Sequence, residues 1–297
     1  MPAPAQAILF MVGSSLFVAG TTLLAKSLGT GHFGTVEIGQ ALHPFQVTFG
    51  RFFFAWLLVC VVVAAVRPRF TRPAWPLHVA RTLCGLSGVT LLFAAAAVIP
   101  LADATAISFL NPIFAMLLAI PLLGERVGKW RWIAAAISLI GAFVLMRPGA
   151  DGLQIGTLLA LGAAAILGLE AIFIKRLSGG EAPLQILIIS NSIGLGMISL
   201  LVIPVWQAPS PAQWLCLAGL GFLMASAQFC FVNAVSREDA SFVTPFFYLT
   251  LVFAAIFDLA IFGVLPERMS FLGIGFILVG AAVLAWRGTR SPKNALG

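Results

Sequence analysis

The chain has 297 residues, 61% of them hydrophobic and 9% charged, with a mean hydropathy of +1.07 and a net charge of +7. A water-facing domain carries roughly 25% charged residues, so a soluble globule is excluded and membrane lipid is the expected surrounding. The 17 basic residues stand singly or in small groups between apolar runs, which is an orientation signal rather than a phosphate-binding stripe, and no nucleic acid is expected as a partner.

A spanning helix needs about 20 largely apolar residues. Read between Gly, Pro and charge punctuation, the sequence predicts ten, at 6–26, 44–66, 77–98, 103–123, 130–146, 153–174, 183–205, 213–235, 241–262 and 270–286. The first begins near Met1 without a basic stretch or a small-residue cleavage site, so it is expected to stay. It offers Ser14, Ser15, Thr21 and Thr22 but no acid. The second carries Arg51, seven residues from its start and roughly 10 Å deep at ~1.5 Å per residue. A guanidinium there either holds a substrate carboxylate bidentately or is a structural arginine.

His78 and Arg81 open the third segment three residues apart, hence on one face. His78 is a candidate for proton coupling, although both are shallow enough to be read as meeting headgroups or loops. Asn111-Pro112 interrupts the fourth segment, and Pro245 interrupts the ninth. Proline frees a carbonyl, and broken helices in corresponding elements of two halves point to a substrate site, although these two prolines, 133 residues apart, are not at equivalent positions. Glu170, near the end of the sixth segment, is poorly spaced for Lys175 and Arg176 on one helix and needs a partner elsewhere. It is the leading proton-coupling candidate. Asn191 on the seventh segment, with Gln228 and Asn233 on the eighth, are amides suited either to substrate or to interhelical bonds. Tyr248 is the single tyrosine beside 25 phenylalanines, and its hydroxyl either meets a backbone carbonyl or faces a cavity. Asp258 on the ninth segment is a further proton-coupling candidate or a partner for Arg51.

Cys60, Cys84, Cys216 and Cys230 lie in apolar runs without CxxC spacing and read as packing residues. His32, His43 and His78 form no metal-binding or acid–base pattern, so no metal, no cofactor and no enzyme activity are expected. With the amino terminus inside, twelve basic residues fall on inner segments and three (Lys26, Arg147, Arg268) on outer ones, which predicts both termini in the cytoplasm. Trp75, Trp130, Trp132, Trp206, Trp214 and Trp286 sit near span ends as interfacial anchors; Trp56 lies deeper.

The chain repeats itself. An offset of 139 pairs Trp75 with Trp214, Pro44-Phe45-Gln46 with Pro183-Leu184-Gln185, and Gly141-Ala142-Phe143-Val144-Leu145 with Gly280-Ala281-Ala282-Val283-Leu284. Lys26 and Lys175 match at 149, Asp103-Ala104 and Asp239-Ala240 at 136. Two units are expected, 1–150 and 151–297, each of five helices, so that the second enters the membrane upside down. Inverted repeats are the usual basis of alternating access. A single chain supplies both halves, so a monomer suffices, with dimerisation left open.

His43-Pro44-Phe45-Gln46 leading to Arg51, Leu122-Leu123-Gly124-Glu125-Arg126 before the Gly141-Ala142 helix, and the run from Tyr248 to Ala255 with Phe262-Gly263 together resemble the EamA-like branch of the drug/metabolite transporter superfamily, including its amino-acid exporters. One departure is Val264 where the family pattern places an acid after the second Phe-Gly, with Glu267 three positions on. The resemblance implies an all-α, ten-helix inner-membrane transporter with a central cavity for a small-molecule substrate. Amino acids, aromatic ones included, are the expected cargo and export the expected direction. The alternatives are a nucleobase, a vitamin or an S-adenosylmethionine-like metabolite, or a membrane enzyme.

Overall fold

A computed structural model describes residues 3–96, 107–146, 155–262 and 268–288. Eleven α-helices are found among them: α1 (Ala3–Thr30), α2 (Pro44–Val66), α3 (Trp75–Ala96), α4 (Asn111–Leu123), α5 (Lys129–Met146), α6 (Ile155–Ser178), α7 (Pro183–Val202), α8 (Pro211–Arg237), α9 (Ala240–Val243), α10 (Leu249–Phe262) and α11 (Arg268–Gly288). A small hairpin, β1 (His32–Phe33) with β2 (Val36–Glu37), follows α1. Six helical stretches are long and apolar enough to cross a membrane, Pro4–Thr30, Pro44–Val66, Ile155–Ser178, Pro183–Val205, Pro211–Arg237 and Ala240–Ile261, and Asn111–Leu123 and Phe271–Val283 are shorter apolar helices.

Local chemistry sets the helix ends. Pro44, Pro183 and Pro211 stand in first turns, where a missing N–H costs nothing. His43 caps α2 by accepting from the Phe45 amide, and Ser210 with Gln213 forms a reciprocal capping box on α8. Gly124 ends α4 at φ 68°, a conformation that costs glycine little.

Within the fourth predicted segment, helix at residues 107–108 gives way to a turn at 109–110, and Asn111 begins α4 with Pro112 in its first turn. In the ninth, where Pro245 is expected to interrupt the helix, 3-10 geometry over Thr244–Tyr248 separates α9 from α10.

The polarity runs opposite to that of a soluble protein. Leu200, Leu215, Ile203 and Ile155 are exposed, while Arg81, His78, Gln185 and Asn191 are buried, as expected where lipid contacts the outside. The most extensive helix partnerships are α1 with α8, α3 with α6, and α5 with α11; α2 packs on α7 and α8, α4 on α6, and α10 on α1. The α5–α11 contact is close because Gly141 and Gly280 face each other's helix. A Cβ would stand 2.8 Å from the Ile277 nitrogen at Gly141, and 2.8 Å from the Ala134 oxygen at Gly280.

Hydrogen bonds define two ends of the bundle. At one, the hairpin connection meets the α7–α8 loop through Ser210 and Gln213. At the other, the start of α1, the α2–α3 loop and the α4–α5, α6–α7 and α8–α9 turns meet.

Candidate functional site

The polar interior starts with a charged group. Arg81 on α3 is 4% exposed, donates to the Ser190 hydroxyl on α7, and stands with its Nε 3.6 Å from Oε1 of Glu170 on α6. Gly85, one turn further along α3, makes room for the carboxylate: a Cβ there would lie 3.1 Å from Oε1. Glu170 thus finds its partner across the α3–α6 contact rather than on its own helix. Arg51 on α2 lies within electrostatic reach of both Glu170 and Arg81. Its guanidinium carbon sits 4.5 Å over the Phe52 ring, and its buried Nε has no hydrogen-bond partner among the described residues. An anionic group entering here would meet two guanidiniums, and a cationic one would meet Glu170.

One residue along α7 from Ser190 begins an amide pair. Asn191 on α7 donates to the Leu187 carbonyl at 2.9 Å and to Oε1 of Gln228 on α8 at 3.0 Å. Trp56, the tryptophan away from the helix ends, donates to the Ser192 hydroxyl at 3.0 Å. Asn233 is not part of the group: its side chain donates to the Phe229 carbonyl and accepts from Arg237, within its own helix. Asn111 starts α4, where its carbonyl lies against Gly168 of α6.

The broken stretch presents three orphan hydroxyls. Thr244, Tyr248 and Thr250 are buried, and none of their oxygens has a hydrogen-bond partner among the described residues. Elsewhere Thr21, Thr22, Thr30, Thr82 and Thr90 each donate to the carbonyl four residues back, which makes the two silent threonines distinctive. Tyr248 stacks against Phe109, with ring centroids 6.3 Å apart. Mid-helix 3-10 geometry and unpaired buried groups both mark elements that change state.

Of the contacts expected for His78, headgroups or loops, the structure gives a loop. It is fully buried, and its Nε2 stands 2.8 Å from Oε2 of Glu181 in the α6–α7 turn. Glu181 also accepts from the Ala74 amide and from the Gln185 side chain, each at 2.8 Å. Gln185 reads both backbone groups of Thr71: Oε1 accepts from its N–H at 2.8 Å and Nε2 donates to its carbonyl at 3.1 Å. At the opposite end Gln46 treats Gln207 in the same way, accepting from its N–H at 3.2 Å and donating to its carbonyl. These latches were not anticipated, although Gln46 and Gln185 belong to the matched Pro-x-Gln triplets.

The end of the bundle bearing the α1 start is also tied by ions. Arg131 pairs with Asp239 at 2.9 Å, Glu125 accepts from the Ala240 and Ser241 amides, and Arg176 donates to the Leu122 carbonyl. Asp258 lies on α10, and its side chain is outside the described residues, as are Val264 and Glu267. No group of three metal-binding side chains occurs among the described residues.

Comparison with known proteins places this geometry. The profile of the EamA-like transporter family matches twice, over residues 5–147 and 154–286. A riboflavin transporter of Vibrio cholerae is 27% identical over 98% of this chain and 97% of its own length. An S-adenosylmethionine uptake transporter of Rickettsia prowazekii is 28% identical over 86% of this chain and 88% of that protein. A solved crystal structure superposes with a TM-score of 0.77 at 21% identity, covering 96% of this chain and 98% of that one, a likeness of fold.

Proposed function

Because this chain belongs to the EamA-like transporter family, we propose that it is a secondary transporter moving a small metabolite with a flat ring and a polar or zwitterionic edge by alternating access. Ten membrane helices arranged as two inverted halves, 1–150 and 151–297, with both termini in the cytoplasm, complete this reading. Support for the halves comes from the packing. Matching α1–α5 to α6–α11 in order turns the α1–α8 partnership into α6–α3 and the α4–α6 contact into that of α9–α10 with α1. Support for the orientation comes from charge: Arg67, Arg69, Arg72, Arg126, Arg131, Arg176 and Arg237 gather at the end where α1 starts, against Lys26 and Arg268 at the other.

One observation carries the substrate class. Arg81 and Glu170 form a bipolar pair that reaches α7 at Ser190, the residue before the Asn191 that pairs with Gln228, with Arg51 in electrostatic reach. Such a set hydrogen-bonds a heterocycle's alternating donors and acceptors, or holds both charges of a zwitterion. The names of the relatives favour riboflavin or S-adenosylmethionine ahead of amino acids, and uptake ahead of export. Aromatic amino-acid transport is the second reading, favoured by the Arg51 Nε, which has no hydrogen-bond partner among the described residues and suits a carboxylate. Proteoliposome flux with labelled riboflavin, S-adenosylmethionine and tryptophan, with and without a pH gradient, tests it. Saturable movement of one class, competed by its unlabelled form, is the expected result. Absence of saturable flux for all three in folded protein overturns the substrate assignment.

A further inference from the structure

The two glutamine latches sit at opposite ends of the bundle, and each ties one half of the chain to the other. Gln46 opens α2 and grips Gln207 in the α7–α8 loop; Gln185 opens α7 and grips Thr71 in the α2–α3 loop. The two glutamines occupy the same place in their triplets, 139 residues apart, yet each serves the opposite half. Both side chains are almost fully buried, at 0% and 1% exposure. Each meets both backbone groups of one loop residue, and Gln185 also accepts from the Thr71 hydroxyl at 3.4 Å and donates to Glu181.

From this pairing we infer that Gln46 and Gln185 are the gating residues of transport, one for each side of the membrane. This rests on the alternating-access reading above. With both latches formed, the loops at both ends are held against the opposite half. Opening toward one side requires release of that side's glutamine while the other holds. Reinforcement differs between the two. Glu181 braces the Gln185 end through His78, the Ala74 amide and Gln185 itself. At the Gln46 end, Ser210 and Gln213 donate to the carbonyls of Ile38 and Gln40, fastening the hairpin connection across the same loop.

The test measures side-specific accessibility and needs no substrate. In full-length protein with Cys60, Cys84, Cys216 and Cys230 replaced by serine, a single reporter, Gln228→Cys, is labelled by a membrane-impermeant maleimide added to either face of oriented vesicles. Loss of two neutral hydrogen bonds shifts a two-state balance by about tenfold. Gln185→Ala is expected to raise labelling from the side bearing the α1 start and lower it from the other. Gln46→Ala is expected to do the reverse, and the double variant to return toward the parent. Gln185→Asn and Gln46→Asn, one methylene too short to span both backbone groups, serve if an alanine variant fails to fold. Shifts in the same direction for both glutamines, or none in folded protein, overturn the gating role. Riboflavin and tryptophan flux measured on separate vesicles of the cysteine-free protein that retains Gln228 separates that failure from failure of the transport reading.

Discussion

Arg81 and Glu170 face each other across the α3–α6 contact with 3.6 Å between nitrogen and oxygen, the arginine almost wholly buried and the carboxylate keeping 24% of its side-chain surface open. A buried ion pair is a poor stabiliser, because desolvation offsets most of the attraction, whereas removing one partner leaves the other charged and alone. Retaining such a pair inside a membrane bundle therefore points to use rather than to stability.

The first prediction follows from that asymmetry. Glu170→Gln and Arg81→Met each strand a charge and are expected to lower stability by about 3 kcal/mol. The double variant should recover most of it while flux stays at least tenfold down. Thermal unfolding in detergent and proteoliposome flux check the two halves of this statement. Recovery of flux in the double variant would make the pair structural.

Arg51 stands apart because its Nε makes no hydrogen bond among the described residues and its guanidinium rests on Phe52. Arg51→Ala is expected to abolish transport of carboxylate-bearing substrates without preventing membrane insertion. Arg51→Lys should rescue poorly, since an ammonium cannot offer a planar fork. Competition by substrate analogues with and without the carboxylate checks the assignment.

Glu181 satisfies an amide, an imidazole and a side-chain amide at once. Glu181→Ala leaves buried donors unpaired and should cost about 2–4 kcal/mol. The 67–74 loop should then be cleaved faster by a protease added from its own side, which limited proteolysis of oriented vesicles measures.

Much of this fold is legible in the residues because lipid imposes strong patterns. Apolar runs locate the helices, and Pro44, Pro183 and Pro211 set their starts. The 139-residue offset pairs Gly141 with Gly280, which pack helix to helix in the structure. What the pattern cannot carry is tertiary choice. Arg81 and His78 lie within two turns of a helix start, where long polar side chains usually reach water; only the arrival of Glu170, Glu181 and Ser190 from the other half buries them. Pro112 and Pro245 look alike in sequence, yet one begins a helix and the other stands in 3-10 geometry. Gln46 and Gln185 fall in helix first turns where any polar residue is acceptable, so nothing local distinguishes a latch from a surface amide.

The α5–α11 contact gives a steric prediction. A side chain at Gly280 must displace the Ala134 backbone, so Gly280→Leu is expected to cost about 3 kcal/mol or more and to reduce the yield of folded protein. Gly275 on the same helix has open space around its added Cβ; Gly275→Ala should stay within about 1 kcal/mol of the parent, and compared unfolding curves decide.

Tyr248 offers the sharpest separation of stability from function. Its hydroxyl is buried without a partner among the described residues, a condition that costs roughly 1–3 kcal/mol. Tyr248→Phe removes that hydroxyl and keeps the ring on Phe109, so stability should rise by about 1 kcal/mol. Thr250→Val, nearly the same shape, should behave alike. A segment that is stabilised by losing its polar atoms has kept them for another state, and the 3-10 stretch around Pro245 is where such a change is easiest. Flux of the stabilised Tyr248→Phe protein should therefore fall severalfold, with substrate affinity weakened. A variant that is both more stable and fully active would show that the hydroxyl serves no step of transport.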